Sequence, residues 1–172
     1  MKEYRITIKK QLNAFTFIFY FTILFILLLG YYQYNNELNN ESLFYYGIFF
    51  LISLIPVVFL HIEYFARNGN YTFIIDSENK CLKLSSIKKD EVTIIKFEDI
   101  ERIVIYCAPS VRKKRNIKIL PFESYHFARI FTKSHEQHVI TNLLMEDIID
   151  GFKIVANIKV RFKLRIFATA LY

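Results

Sequence analysis

From Leu12 to Tyr32 the chain runs through Phe, Ile, Leu and Tyr without one charged residue, and Leu43 to Leu60 forms a second uncharged run that continues through His61, Glu63 and Tyr64 toward Arg67. At 1.5 Å per helical residue, a run of about 21 residues reaches roughly 31 Å, the thickness of a bilayer's hydrocarbon core. Both runs are polar only at their ends, whereas a soluble core helix shows a polar face along its length. The pattern predicts two membrane helices, residues 12–32 and 43–65, joined by a linker at 33–42. Cleavage as a signal peptide is not expected, because Gly, Tyr, Tyr, Gln and Tyr follow Leu29 where small residues are needed.

Beyond Ala66 the period of the apolar positions changes. Short β-branched or alternating stretches occur at Tyr71 to Ile75, Cys81 to Leu84, Val92 to Phe97, Ile100 to Cys107, Ile117 to Leu120, Tyr125 to Thr132 and His138 to Thr141, separated by polar turn clusters such as Asp76 to Lys80. They predict a meander of strands. Leu144, Ile148 and Phe152 recur every four residues and predict a helix from about Asn142, with Gly151 able to end it early. From Ile158 to Ile166 apolar and basic residues alternate strictly, with Lys159, Arg161, Lys163 and Arg165 on one side; the two-residue period predicts a strand.

The phrases Tyr71-Thr-Phe-Ile-Ile-Asp76, Ile95-Lys-Phe-Glu-Asp-Ile-Glu-Arg-Ile103 and Tyr125-His-Phe-Ala-Arg-Ile-Phe-Thr132, followed by His138-Val-Ile-Thr141 and a helix, resemble the small bacterial two-helix membrane proteins with a pleckstrin-homology-like (PH-like) cytosolic domain. That resemblance implies a membrane-anchored α+β protein: an N-terminal transmembrane hairpin, then a bent, mostly antiparallel PH-like sheet or barrel closed by a helix near the C-terminus. A chain of this kind is expected to end on its helix, so the alternating stretch after Gly151 departs from the pattern.

Charge sets the orientation. Residues 1–11 carry four basic side chains, the linker carries none, and Arg67, Lys80, Lys83, Lys88 and Lys89 follow the second run, so the positive-inside bias predicts both termini and the 66–172 domain on the cytosolic side of the inner membrane. Tyr31, Tyr32, Tyr34, Tyr45 and Tyr46 fit an outer aromatic belt, and Tyr64 an inner one. With 53% hydrophobic residues and a net charge of +7, the composition excludes disorder.

The densest cationic cluster, Arg112, Lys113, Lys114, Arg115 and Lys118, is the candidate contact for anionic lipid or a protein partner; its alternative is a solvated loop tip. Nucleic acid is disfavoured, since no recognition helix or stacking motif accompanies these charges. Glu63 and Arg67, four apart, are a candidate interfacial ion pair, with Lys9 or Lys10 at the same level. His135 and His138 lack a third ligand and a helical frame, so no metal is expected. Cys81 and Cys107 are expected to be free buried thiols. No nucleophile elbow or phosphate-cradling glycine loop occurs, so neither an enzyme nor a cofactor is expected. The reading is a membrane-anchored binding or scaffold protein docking a protein or anionic lipid; the alternative is an immunity or antitoxin-like membrane protein that neutralises a toxin.

Overall fold

The computed structural model describes residues 1–35, 39–113, 120–153, 155 and 158–171, apart from the side chains of 13, 14 and 17. Helix α1 (Ile8–Tyr34) starts on Thr7, whose hydroxyl accepts the Lys10 N–H at 3.3 Å, and α2 (Asn40–Asn68) starts on Asn39, whose side chain accepts the Ser42 N–H at 2.7 Å. Each cap satisfies one of the free amide donors of a first turn. The helices are antiparallel: Phe25 stacks on Phe50 at 4.6 Å, Tyr32 on Tyr46 at 5.5 Å, and Phe15 lies 4.2 Å from the His61 ring. Both extend past the spans of 12–32 and 43–65. Among the described residues one helix, Asn40–Asn68, is long and apolar enough to cross a membrane, while the described apolar portion of α1, Ile18–Tyr34, is shorter.

The N-terminal segment is not a free basic tail. Lys2–Arg5 forms β1, which pairs antiparallel with β2 (Tyr71–Asp76) from Lys2 opposite Ile75 to Arg5 opposite Thr72. The hairpin is thus inserted between neighbouring strands of one sheet, and 66–172 is not a separate unit. β3 (Cys81–Ser86) and β4 (Val92–Lys96) complete a four-stranded sheet in the order β1-β2-β3-β4. At its first turn Asp76 accepts from the Asn79 backbone at 3.1 Å, from the Asn79 side chain at 2.9 Å and from Lys83 Nζ at 3.0 Å. These bonds hold the carboxyl far below the usual carboxylate range.

A second sheet has the order β7-β6-β5-β8, built from β5 (Ile100–Cys107), β6 (Phe127–Thr132), β7 (Gln137–Thr141) and β8 (Val160–Leu164). Between β5 and β6 lie the short helix α3 (Pro109–Arg112) and a 3-10 turn at Pro121–Ser124. The strand expected at 117–120 falls outside the described residues but for Leu120, which precedes that turn. β8 confirms the two-residue period after Gly151, yet it runs parallel to β5 as an edge strand, Ile103 opposite Val160 and Cys107 opposite Leu164. Its apolar side is only half-buried, with Leu164 48% exposed, because an edge strand has no neighbour beyond it.

Alternation along β5 divides the core in two. Ile103, Ile105 and Cys107 face Phe73, Ile75, Leu82 and Ile95 of the first sheet, together with Ile148 and Phe152 of helix α4 (Ile148–Lys153). Tyr106, Phe127 and Tyr125 form a second cluster with Val57, Leu60 and Tyr64 of α2. The helix expected from Asn142 is shorter than its pattern. Leu143, Leu144 and Met145 are all buried in succession, Leu143 in the second cluster and the other two in the first, and one face of a helix cannot serve both.

Candidate functional site at the hairpin and sheet junction

The last two turns of α2 are where the sequence changes from uniformly apolar to apolar with polar insertions, and His61, Glu63, Tyr64 and Asn68 each meet a partner from the domain. His61 Nδ1 and the Tyr125 hydroxyl lie 3.2 Å apart and share a hydrogen bond. Burial pushes the Tyr125 phenol well above its ordinary value. Tyr64 donates to the Ala168 carbonyl at 2.5 Å. Glu63 accepts from Ala170 N at 2.8 Å, from Thr169 Oγ1 at 3.0 Å and from Arg67 Nε at 3.4 Å. The predicted Glu63 and Arg67 pair therefore forms, with Glu63 nearly buried and Arg67 a third exposed, but the C-terminal tail supplies the shorter bonds.

Asn68 closes the helix and the sheet together. Its side-chain amide donates to the Val139 carbonyl at 3.0 Å and accepts the Thr141 N–H at 2.8 Å, so it occupies the free edge of β7 as a peptide group would. Lys10 does not reach Glu63; its ammonium donates to the carbonyls of Arg5 at 3.0 Å and Leu144 at 2.9 Å, tying the start of α1 to the domain. Burial lowers the Lys10 pKa, partly offset by Glu146. Tyr64, expected in a headgroup belt, is fully buried in the second core instead.

Of the basic cluster, Arg112 ends α3 with its guanidinium 5.2 Å over the Phe162 ring, and Lys113 is exposed beside it. Lys114, Arg115 and Lys118 lie outside the described residues. A second cationic group surrounds Tyr106: Arg165 at 5.2 Å, Arg129 at 5.6 Å and Lys163 at 5.7 Å from the ring. Its members come from β6, β8 and the segment after β8, so only the pairing of β8 with β5 assembles it. His138 approaches Glu136 at 3.6 Å, and among the described residues no three His, Cys, Asp or Glu gather as metal ligands. Cys81 and Cys107 are free and buried, and burial pushes the Cys107 thiol up.

Sequence reasoning placed Lys10 at this level without its carbonyl partners, and missed Asn68, Tyr125, Thr169 and Ala170. Asn68 carried a signal, an amide directly after the apolar run where the helix must stop; the backbone partners of the tail carry none.

These observations define the protein first as a two-sheet β domain closed by a short helix, with a helical hairpin fastened to its second sheet. A family model for the PH domain matches residues 3–148, and the chain belongs to that family. The match begins within β1 and reaches the first residue of α4, so the hairpin lies inside it while β8 and the tail lie beyond. No curated protein and no solved structure matches the chain. Membership supports a binding or scaffold role in general terms.

Proposed function

We propose that the chain is a membrane-anchored binding or scaffold protein: the hairpin crosses the inner membrane twice, both termini and the PH-like domain are cytosolic, and the domain docks a protein or anionic lipid there. The observation that carries this is the outward surface of the hairpin. Leu24, Leu27, Ile52 and Ile55 are each more than 60% exposed, and 17% of the most apolar window of α2 is buried. A core helix of a soluble protein would be mostly covered, and an apolar surface of this extent calls for lipid.

The pairing of β1 with β2 supports the two crossings independently of charge. Strands on either side of the hairpin share one sheet, so the chain between them crosses any bilayer an even number of times. Arg112, Lys113, Lys114, Arg115 and Lys118 remain the docking candidates, with the cations around Tyr106 as an alternative face.

The test is thiol labelling of the full chain in intact cells. A cysteine substituted at Asn36 is expected to react with an impermeant reagent from outside, and one at Ser110 only after permeabilisation. The native thiols are buried, and the parent chain supplies their background. Labelling at Ser110→Cys in intact cells would overturn the topology.

A further inference from the structure

We infer that the bend at Ile166 and Phe167, between β8 and the C-terminal tail, is a wedge that enters the acidic inner leaflet beside α2. This rests on the reading that the hairpin spans the bilayer. With Leu43 at the outer boundary and 1.5 Å per residue, Phe59 lies about 24 Å in and Glu63 about 30 Å in, against a hydrocarbon core of roughly 30 Å. The turn of α2 that carries Phe59 is then about 6 Å inside the inner boundary, within the 5–10 Å depth at which interfacial segments bury their apolar faces.

Whatever the domain places beside Phe59 shares that depth. The Phe167 ring lies 6.1 Å from Phe59 and 6.1 Å from Phe122, and Ile166 and Phe167 are 58% and 38% exposed. The bend is thus apolar and outward-facing where lipid is expected. It is also fixed in place: immediately after it, the tail is bonded through Ala168 to Tyr64 and through Thr169 and Ala170 to Glu63. Glu63, near the boundary, has its carboxylate satisfied by the strand of chain that returns from the wedge.

The flanking charge fits the same surface. Lys163 and Arg165 precede the bend; both lie over the Tyr106 ring, but among the described residues neither pairs with a carboxylate, so no anion of the protein neutralises their charge toward lipid phosphate. Apolar tip and cationic shoulder together match an acidic membrane surface, to which basic side chains beside the bilayer are drawn.

The chain contains no tryptophan, so a single substitution gives a unique fluorophore. Full chains bearing Phe167→Trp, Ile52→Trp in mid-span or Ser77→Trp at the exposed β2–β3 turn are reconstituted in nanodiscs of phosphatidylcholine and phosphatidylglycerol, with and without bromine on the upper acyl chains. Phe167→Trp is expected to lose fluorescence to brominated lipid as Ile52→Trp does, while Ser77→Trp does not. Quenching at Ile52→Trp with none at Phe167→Trp, or at Ile166→Trp should that variant alone fold, would overturn the wedge and leave the hairpin reading intact. No quenching at Ile52→Trp would overturn the hairpin reading itself. Adding Lys163→Glu and Arg165→Glu is expected to reduce the loss at Phe167→Trp; an unchanged loss would overturn the role of the cations.

Discussion

Replacing Tyr64 by Ala tests whether the hairpin and the sheet domain unfold as one body. The Tyr64 ring is fully buried, edge to face with Tyr125 at 5.5 Å and Phe127 at 6.2 Å, and its hydroxyl donates to the Ala168 carbonyl. Truncating a buried aromatic to Ala costs about 3–5 kcal/mol through lost transfer energy and the cavity left behind. Phe at the same site keeps the ring and strands one buried acceptor, at about 1–3 kcal/mol. Against a total stability of about 5–15 kcal/mol, the Ala variant removes a large share. At about 2–4 °C per kcal/mol for a chain of this size, its midpoint is expected to fall by roughly 6–20 °C, and that of Tyr64→Phe by about half as much. Ile62→Ala is the reference, since Ile62 is on the same turn but 63% exposed. The assay is proteolysis of the full chain in nanodiscs across a temperature series, with cleavage read within β5 and β6. Equal midpoints for Tyr64→Ala and Ile62→Ala would refute the reasoning, because the domain would then unfold without reference to α2.

Phe162 is half-buried against the first core while its neighbour Arg161 is exposed, so Phe162→Asp is expected to cost about 2 kcal/mol and Arg161→Asp less than about 0.5 kcal/mol; chemical denaturation separates them. Asp76→Asn removes a carboxylate whose folded pKa is depressed by Asn79 and Lys83. A depressed carboxylate stabilises fully above its unfolded pKa near 4 and loses that contribution as pH falls through the folded value. The melting-temperature gap between parent and Asp76→Asn is therefore expected to be largest near neutral pH and to close below about pH 4; a gap constant to acid pH would contradict the assignment.

Strands were legible wherever one face met the core and the other did not. β5 and its neighbours follow the period of Ile103, Ile105 and Cys107, and β8 follows that of Val160 and Phe162. Direction and partner were not legible, because alternation is the same in a parallel and an antiparallel ladder. β1 was hidden for another reason: four residues, Lys-Glu-Tyr-Arg, are too few to show a period and read equally as the basic flank of a membrane helix. Tyr64 was misassigned because a tyrosine at the end of an apolar run has the same composition signature in a headgroup belt and in a buried junction. The Glu63 and Arg67 pair was visible from its spacing. The bonds from Thr169 and Ala170 were not, since more than a hundred residues separate them from Glu63.

The strand order β1-β2, with the hairpin between them, also dictates when the sheet can be completed. Arg5 leaves the ribosome first, yet its partner Thr72 follows after a detour of roughly 66 residues, and closing so long a flexible loop costs about 4 kcal/mol of chain entropy. Once the helices have zipped together, with Phe15 beside His61, the start of α1 and the end of α2 lie at the same end of the hairpin, and only a few residues separate each from its strand. Helix pairing thus converts a remote contact into a local one, and β1 docks after the helices pair. Until then β2 presents an unpaired edge bearing Phe73 and Ile75, open to pairing with other chains. A lesion that slows hairpin assembly is therefore expected to surface as aggregation of the sheet.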